Sequence, residues 1–247
     1  MMKVSIITAT YNSAATLSDT LASLEAQTYS NIEYIIVDGA SKDETVELAR
    51  SQCSRIAKLV SEPDKGIYDA LNKGISLATG DIVGFLHSDD ILAYPEAIED
   101  LVSCFSSGNH DAIYADLDYV SKDDIQKVIR HWVSGSFDES KLAWGWMPPH
   151  PTFYMKKELY EKFGGFNLSY PIAADYDSVL RYLKSNSLKV AYNSNVLIKM
   201  RVGGASNNSI KNVIRKIKEE RLIMKKNGLF YPYALIMKRL SKIHQFL

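Results

Sequence analysis

Short apolar runs alternate with segments of helical periodicity along the first third of the chain. Apolar runs rich in β-branched residues predict buried strands, which are Lys3–Ala9, Ile32–Val37, Lys58–Val60 and Ile82–Leu86. The segments between them carry apolar side chains on one helical face and predict helices at Ala14–Gln27, from Ser41 toward Cys53, and at Ile67–Leu77. Repeated β–α units of this kind predict an α/β fold with a parallel sheet and helices on both faces.

The rhythm changes after Asp90. Further elements are predicted at Glu96–Phe105 (helix), Ala112–Tyr114 (strand), Leu117–Val120 with Gln126–Arg130 (hairpin), Thr152–Met155 (strand) and Asp175–Lys184 (helix). The segment His131–His150 follows no regular pattern and contains all three tryptophans. There is no internal repeat, and the one plausible boundary lies near Ser206.

Composition places the chain among globular proteins but reveals an uneven charge. The 247 residues are 46% hydrophobic and 23% charged, which is ordinary for a folded domain and excludes a disordered or fibrous protein. Lys and Arg total 29, as do Asp and Glu, yet residues 206–247 hold ten basic residues against two acidic ones. An acidic body with a basic tail indicates an anionic partner for the tail.

Cysteine usage and hydropathy predict a cytoplasmic protein. Cys53 and Cys104 form neither a disulfide framework nor a metal-ligand spacing, which fits a reducing compartment. The Met1–Tyr11 segment lacks a cleavage pattern, and the longest apolar run, Leu229–Met237, is interrupted by Pro232 and too short to span a bilayer. We therefore expect at most peripheral contact with a membrane.

Polar residues follow three of the predicted strands. They are Thr8–Asn12 after the first strand, Asp38 and Gly39 after the second, and His87–Asp90 after the fourth. Ligands of open α/β sheets bind outside the carboxyl ends of the strands. An aromatic ring, a lone aspartate and an aspartate pair along one rim suit a base, a ribose and a metal-bound diphosphate.

The Asp89–Asp90 pair is the most informative of these groups. Adjacent carboxylates beside an apolar strand repel each other unless a cation compensates. Magnesium or manganese, which takes one or two carboxylates together with substrate phosphates, is the natural partner. The alternative is a solvated turn that caps the next helix. Neither the G-x-G-x-x-G nor the G-x-x-x-x-G-K-[ST] signature is present, which argues against a NAD-binding Rossmann domain and a P-loop NTPase.

Several motifs in order resemble family 2 glycosyltransferases. The matching segments are Val4–Asn12, Val37–Thr45, Asn72–Ile75, Ala78–Asp81, Leu86–Asp90 and Ala173–Asp177, and the resemblance covers residues 3–205. It implies a GT-A fold with a Rossmann-like, mostly parallel sheet. It further implies a catalytic domain at 1–205, divided into a nucleotide-sugar half (1–92) and an acceptor half (93–205), followed by a helical tail at 206–247.

The resemblance also implies roles for individual residues. Ala9 and Tyr11 would hold the nucleotide base, and Asp38 would accept a hydrogen bond from its ring N–H. Asp89 would lie near the ribose and diphosphate. Asp90 would bind the metal. Asp175 would be the catalytic base. The family's preceding glutamate is replaced by Ala174, and the first aspartate of its D-x-D element by Ser88, so Asp177 is a rival base, and it is also a candidate acceptor contact.

The implied reaction is an inverting transfer from a nucleotide-diphosphate sugar, with uridine as the default base. The acceptor would be a hydroxyl of a saccharide or a lipid-linked molecule, in polysaccharide or glycolipid biosynthesis. A carboxylate takes the proton of the attacking hydroxyl, and one direct displacement inverts the anomeric centre. Two alternatives remain: a nucleotidyltransferase that makes nucleotide sugars, and a non-catalytic module that binds a nucleotide sugar or a membrane.

Four further residues are candidates for the site. His150, in a proline-rich loop, could bind the metal or the acceptor. Lys65 and Arg201 could contact the diphosphate. Trp146 could stack on an acceptor sugar. Each also has a purely structural interpretation: a buried histidine, an exposed loop lysine, a surface ion pair and a core aromatic residue.

Two apolar stripes with basic flanks run through the tail. They consist of Ile210, Val213, Ile214 and Ile217, and of Ile236, Leu240, Ile243 and Leu247. Amphipathic helices with Lys and Arg on the polar face bind anionic membrane surfaces, and Phe230, Tyr231 and Tyr233 could lie at the headgroup level. The alternative is packing on the acidic body. No recognition motif supports nucleic-acid binding.

Overall fold

A computed structural model describes residues 1–185, 188–203 and 209–240. Its strands are β1 (Val4–Thr10), β2 (Ile32–Asp38), β3 (Ile56–Ser61), β4 (Ile82–Phe85), β5 (Asp90–Leu92), β6 (Ala112–Val120), β7 (Val128–Trp132), β8 (Tyr154–Lys156) and β9 (Val190–Arg201). Its helices are α1 (Ala14–Glu25), α2 (Thr45–Gln52), α3 (Ile67–Leu77), α4 (Ala97–Ser107), α5 (Lys157–Phe163), α6 (Ala174–Leu183), α7 (Ile210–Lys226) and α8 (Tyr231–Leu240). Short 3₁₀ helices lie at Glu139–Trp144 and His150–Thr152.

The strands form one mixed sheet in the order β3-β2-β1-β4-β8-β6-β9-β5, and β7 pairs with β6 outside this path. The first four strands are parallel, as the β–α pattern predicts. The strand β8 joins them in antiparallel fashion to β6, which runs parallel to β9. The last residues of β1, β2 and β3 are register partners: Thr10 lies opposite Asp38, and Asp38 opposite Ser61. The carboxyl ends of these strands therefore form one rim.

The core lies on both faces of the sheet, because the central parallel strands are apolar on both sides. Ile7 faces one cluster, which includes residues of α3 and α6. Ile6 faces the other, which includes residues of α1 and α4. The predicted α/β class is confirmed, and the predicted strands and helices are present with ends shifted by a few residues. The strand Ala112–Tyr114 and the first strand of the hairpin are one continuous strand, β6.

The predicted start of α2 at Ser41 is wrong. The helix begins at Thr45, and Glu44 occupies the N-cap position without a side-chain cap. The Ser41 hydroxyl instead donates to Asp38 at 2.5 Å. Ser41 and Glu44 have the spacing of a capping box, but the Ser41 hydroxyl bonds to the Asp38 carboxylate at the end of β2 instead.

The tail packs on the body through one face and exposes the other. Ile223, Met224 and Ala234 are buried in the core cluster that contains α6. The predicted apolar stripe points away from this contact: Ile210 and Ile214 are exposed. The predicted boundary near Ser206 and the stripe residues Ile243 and Leu247 lie outside the described residues. Within the described chain, no helix is long and apolar enough to cross a membrane.

Candidate active site

The loops that follow β1 and β2 are tied together at the rim. The backbone N–H of Asn12 donates to the Ser41 hydroxyl at 2.8 Å, and the Asn12 side-chain oxygen accepts from the Lys42 N–H at 2.9 Å. Asn12 and Ala40 have positive φ angles of 49° and 60°. Such backbone is sparsely populated by residues other than glycine, and its strain is tolerated where surrounding contacts enforce it. The two loops therefore form one continuous surface at the rim.

Tyr11 lies on this surface with its ring exposed. The residue is 65% accessible, and its ring lies over Gly39, since a Cβ added at Gly39 would approach Tyr11 Cδ2 to 3.3 Å. The same Cβ would come within 2.6 Å of the Asp64 carboxylate. A side chain at this position would therefore displace the Asp64 carboxylate, and both Tyr11 and Asp64 lie close to Gly39. Ala9, one residue before the end of β1, is buried beneath.

Asp38 is buried and its carboxylate is saturated with donors. One oxygen accepts from the hydroxyls of Thr10 and Ser41, and the other from the Ser41 N–H and the Ser61 hydroxyl. Burial acts to raise the pKa of Asp38, but these hydrogen bonds outweigh it and hold the pKa below its ordinary value. A base N–H can bond to Asp38 only if one hydroxyl turns away. The structure thus gives Asp38 a clear role in joining three strand ends.

Asp90 is the buried carboxylate that lacks partners. It is 1% accessible, and neither side-chain oxygen has a hydrogen bond within the described structure. Burial and the neighbouring Asp89 raise the pKa of Asp90 well above its ordinary value, while Arg201 acts in the opposite direction. A buried carboxylate without donors is costly. The two carboxylate oxygens of Asp90 are therefore available to a ligand.

Arg201, at the end of β9, is buried beside this pair. One terminal nitrogen donates to the Asp89 carbonyl at 2.9 Å, and the other contacts the Asp19 carboxylate on α1. The guanidinium of Arg201 is thus engaged in contacts within the protein. Only its Nε lacks a hydrogen-bond partner among the described residues.

Two buried histidines, His87 and His150, lie close to each other in the neighbourhood of Asp175. The His150 ring stacks on Phe85 at 5.1 Å between centroids and lies 5.9 Å from the His87 ring. Burial lowers the pKa of both imidazoles, that of His150 to about 4, although the charge of Asp175 acts to raise both. Both side chains are therefore neutral near pH 7, which is the form that can accept a hydrogen bond or bind a metal.

Asp175 lies in the first turn of α6 with one oxygen held. Its Oδ1 accepts from the Tyr176 N–H at 2.8 Å and lies 3.2 Å from the Tyr68 hydroxyl. Among the described residues none donates to Oδ2, which is left for a ligand. Burial, together with the charge of Asp175, raises the pKa of Tyr68 well above its ordinary value, so this hydroxyl remains protonated and can donate.

Asp177 is not brought to the rim. Positions two apart on a helix point in nearly opposite directions, and the buried Asp177 carboxylate lies 3.5 Å from Arg181 on the far side of α6. Of the two predicted bases, Asp175 alone shares the neighbourhood of the histidines. The prediction of an acceptor-binding Asp177 therefore has no support in the fold.

Two further predicted residues, Trp146 and Lys65, each have local contacts of their own. Trp146 is half-buried and packs against Tyr114 and Phe137, with ring centroids 5.7 and 5.9 Å away. This matches the core interpretation of that tryptophan. Lys65 is exposed in the loop before α3, where its backbone N–H donates to Asp69 at 3.0 Å.

Three residues at the rim escaped the sequence analysis as functional candidates. His87 lies two residues before Asp89 at the end of the same predicted strand, so its position was itself a signal. Tyr68 and Asp64 flank the start of α3, and nothing in their spacing marks them, because their relation to Asp175 and Gly39 arises from chain segments far apart in sequence.

The rim fits a divalent cation only in part. Within the described residues no group of three or more His, Cys, Asp and Glu side chains could hold a metal by itself. Asp90 offers two unpartnered carboxylate oxygens. This donor set suits a magnesium or manganese ion that takes most of its ligands from substrate phosphates and water.

Solved structures with the same architecture assign the fold. The chain superposes on S. aureus TarS in complex with UDP with a TM-score of 0.68 and 18% identity, covering 96% of this chain and 70% of that one. It superposes equally well, at 0.68 and 20% identity, on the mannosyltransferase PcManGT from Pyrobaculum calidifontis in complex with GDP-Man and Mn²⁺, covering 98% and 70%. The fold is therefore of the GT-A type found in glycosyltransferases.

Sequence relationships name the family. Residues 5–168 match the family described as Glycosyl transferase family 2, and the chain belongs to that family. It is 30% identical over 212 residues to the "PGL/p-HBAD biosynthesis glycosyltransferase" of Mycobacterium bovis (strain BCG / Pasteur 1173P2), covering 83% of this chain and 79% of that protein. It is 34% identical over 180 residues to an uncharacterized glycosyltransferase of Mycobacterium tuberculosis, covering 72% and 68%. The protein is a glycosyltransferase, as the sequence motifs predicted.

Proposed function

We propose that this protein transfers a sugar from a nucleotide-diphosphate donor to an acceptor hydroxyl with inversion at the anomeric carbon. The observation that carries the proposal is the presence of two carboxylates on one rim. Among the described residues, the Asp90 carboxylate is buried without a hydrogen-bond partner, and the Asp175 carboxylate has only one of its oxygens hydrogen-bonded. One suits a metal that travels with a diphosphate, and the other suits a general base. The relatives' complexes with UDP-GlcNAc and with GDP-Man and Mn²⁺ support a donor of this class.

The donor half extends over residues 1–92 in this proposal. Tyr11 offers an exposed ring on which the base stacks. Asp38, if a hydroxyl turns away, or the neighbouring Asp64 accepts from the ring N–H of a uracil. Ala9 forms the floor of the base site. Uridine is the proposed base, and UDP bound to TarS is in keeping with it.

The diphosphate lies at the end of β4 in this proposal. Asp89 is next to the ribose and diphosphate, and Lys65 and the Nε of Arg201 provide positive charge nearby. A divalent cation, magnesium or manganese, supplies charge stabilisation for the departing diphosphate when bound, and Asp90 is the residue that would hold it, with His150 at its side.

Asp175 takes the proton. Its Oδ1 is fixed by the Tyr176 N–H and the Tyr68 hydroxyl, so Oδ2 faces the acceptor with little freedom. The acceptor hydroxyl gives its proton to Oδ2 as its oxygen bonds to the anomeric carbon and the bond to the diphosphate breaks. A single displacement of this kind inverts the configuration. His150 and Trp146, in the acceptor half at 93–205, are the proposed acceptor contacts.

The tail at 206–247 is proposed to hold the enzyme on an anionic membrane surface, where a lipid-linked saccharide is the acceptor. Both acidic residues of the tail, Glu219 and Glu220, are buried against the body. Its outer surface therefore carries Lys and Arg around exposed apolar side chains such as Ile214 and Phe230, the arrangement that binds anionic headgroups. The glycolipid-related name of the mycobacterial relative agrees with such an acceptor.

The first test is calorimetry of UDP, GDP and dTDP with and without manganese, on the wild type and on Asp90→Ala. We expect tight binding of one nucleotide, dependent on manganese and lost in the variant. Manganese-independent binding that survives in the variant would favour a non-catalytic binding module. Turnover of a sugar phosphate and a nucleoside triphosphate would favour a nucleotidyltransferase instead.

A further inference from the structure

The backbone that leads into the helix of Asp175 is held by a side chain of the tail. The N-cap residue of α6 is Ala173, which has no side-chain acceptor, and backbone N–H groups at a buried helix start need partners. The carboxylate of Glu219, in the middle of α7, supplies one. Its Oε2 accepts from the backbone N–H groups of Ile172 and Ala173, each at 2.9 Å. The tail thus fixes the two residues that lead into a helix of the body.

Glu219 is itself held in one position. It is 6% accessible, and its Oε1 accepts from the Arg215 Nε at 3.1 Å, one turn earlier on α7. A buried carboxylate remains charged at low cost when charge-assisted hydrogen bonds surround it. Three donors converge on the two oxygens of Glu219, so the contact is specific and not an accident of packing.

A short series of polar contacts connects this backbone segment to Asp175 through the Tyr68 hydroxyl, whose single hydrogen is shared between two acceptors. The peptide group of Ile172 is held on both sides: its N–H donates to Glu219, and its carbonyl accepts from the Tyr68 hydroxyl at 3.0 Å. The same hydroxyl lies 3.2 Å from Asp175 Oδ1. Any shift of the segment that starts α6 therefore moves both the carboxylate and the hydroxyl that orients it.

We propose that Glu219 is a positioning residue for Asp175, which makes the tail a part of the active-site machinery as well as a membrane contact. The inference rests on the proposed function, in which Asp175 is the base. Glu219 acts through the backbone of Ile172 and Ala173, directly before α6. A displacement of about 1 Å at a reacting group can lower a rate on the order of 100-fold.

The experiment compares Glu219→Ala and Glu219→Gln with Arg215→Ala as the matched control. Arg215→Ala removes the exposed partner of Glu219 but leaves its contacts with the N–H groups of Ile172 and Ala173 in place. We expect Glu219→Ala to lower kcat about 10- to 100-fold, with the donor KM and the nucleotide affinity within about twofold. Glu219→Gln, which keeps an acceptor oxygen, should recover most of kcat, and Arg215→Ala, which keeps both backbone contacts of Glu219, should lower kcat less than Glu219→Ala does.

Amide hydrogen exchange gives a readout that does not depend on turnover. We expect the amides of Ile172 and Ala173 to exchange faster in Glu219→Ala, and near the wild-type rate in Glu219→Gln. Unchanged kcat in a folded Glu219→Ala variant, a parallel loss of nucleotide affinity, or unchanged exchange at both amides would each overturn the inference. If Glu219→Ala does not fold, Glu219→Gln is the deciding variant. Wild-type kcat and wild-type exchange at Ile172 and Ala173 in Glu219→Gln, which keeps a neutral acceptor, would support the inference. Loss of both the fold and nucleotide binding in Glu219→Gln would contradict it.

Asp175→Asn separates this inference from the proposed function. If the wild type shows no transfer, or Asp175→Asn retains it, the proposed function fails and the role of Glu219 fails with it. If Asp175→Asn is inactive while Glu219→Ala retains full kcat, only the positioning role is lost.

Discussion

Lys238 of α8 lies over the ring of Tyr176, with its Nζ 3.4 Å from the ring centroid. The same Nζ forms an ion pair with Glu220 of α7 at 2.8 Å, and both side chains are buried. Burial lowers the pKa of Lys238, while Glu220 acts to raise it. Because Tyr176 directly follows Asp175, this cluster clamps both tail helices onto the helix of the active site.

Removal of one partner of this buried pair should destabilise the protein. Lys238→Met leaves the Glu220 carboxylate buried without its cation, and we expect a loss of about 3–5 kcal/mol in the free energy of unfolding, measured in urea. The double variant Lys238→Met with Glu220→Leu should recover most of that loss. Lys225→Met, on the exposed side of α7, is the control and should stay within about 0.5 kcal/mol of the wild type. A single variant as stable as this control would contradict the clamp.

Asp175 and Asp177 provide a matched pair for the identity of the base. Asp175→Asn should lower kcat by about 10²–10⁴-fold without weakening nucleotide binding, since a general base acts only in the chemical step. Asp177→Asn, on the opposite side of α6 beside Arg181, should keep kcat and change stability instead. The rates of both variants are compared at saturating donor. Equal losses of kcat would mean that neither residue is the base.

The buried Asp90 predicts an unusual dependence of stability on pH. Its folded-state pKa is raised above the ordinary value of 3.8, so the native state binds a proton that the unfolded chain has released. The associated stability is present below pH 3.8 and is lost as pH rises through the folded-state pKa. Asp90→Asn lacks this loss.

We therefore expect Asp90→Asn to be more stable than the wild type at pH 8 in the presence of a chelator, and the advantage to shrink toward pH 4. Urea unfolding at several pH values measures the difference. Manganese with nucleotide should reverse the order at pH 8, because only the wild type gains the ligand. Parallel stability curves for the two proteins would show that the Asp90 carboxylate is paired in solution.

The outer surface of the tail predicts binding to anionic vesicles. Ile214 and Ile129 are each 49% accessible, the former on the tail and the latter on β7. Ile214→Ser should weaken cosedimentation with phosphatidylglycerol vesicles about tenfold, since burial of one isoleucine contributes roughly 1.5 kcal/mol or more. Ile129→Ser should have no effect. Added salt should weaken binding of the wild type, and equal binding to zwitterionic vesicles would argue against the electrostatic part.

Local pattern was enough for the sheet and for the rim. Apolar runs such as Ile32–Val37 can be buried only as central strands, and parallel strands place the residues that follow them at a common edge. Asp38 and Asp90 were therefore found from their positions at strand ends, whereas Asp175 was implied by the resemblance to family 2 glycosyltransferases, a family that the comparisons confirmed. The prediction for a single position was wrong where two partners competed for it: Ser41 bonds to Asp38 and does not start a helix.

Tertiary contact decided what the tail does. Its sequence predicts amphipathic helices, and periodicity assigns the apolar stripe of Ile210 and Ile214 to whichever surface is less polar. The fold turns the two glutamates inward and that stripe outward, because the uncapped start of α6 and the buried Lys238 need carboxylate partners. Such needs belong to segments that are distant in sequence, and they exist only once the chain has folded. The charge of the tail therefore follows from its sequence. The direction of each side chain was determined by hydrogen bonds between segments that are distant in sequence, which no local pattern predicts.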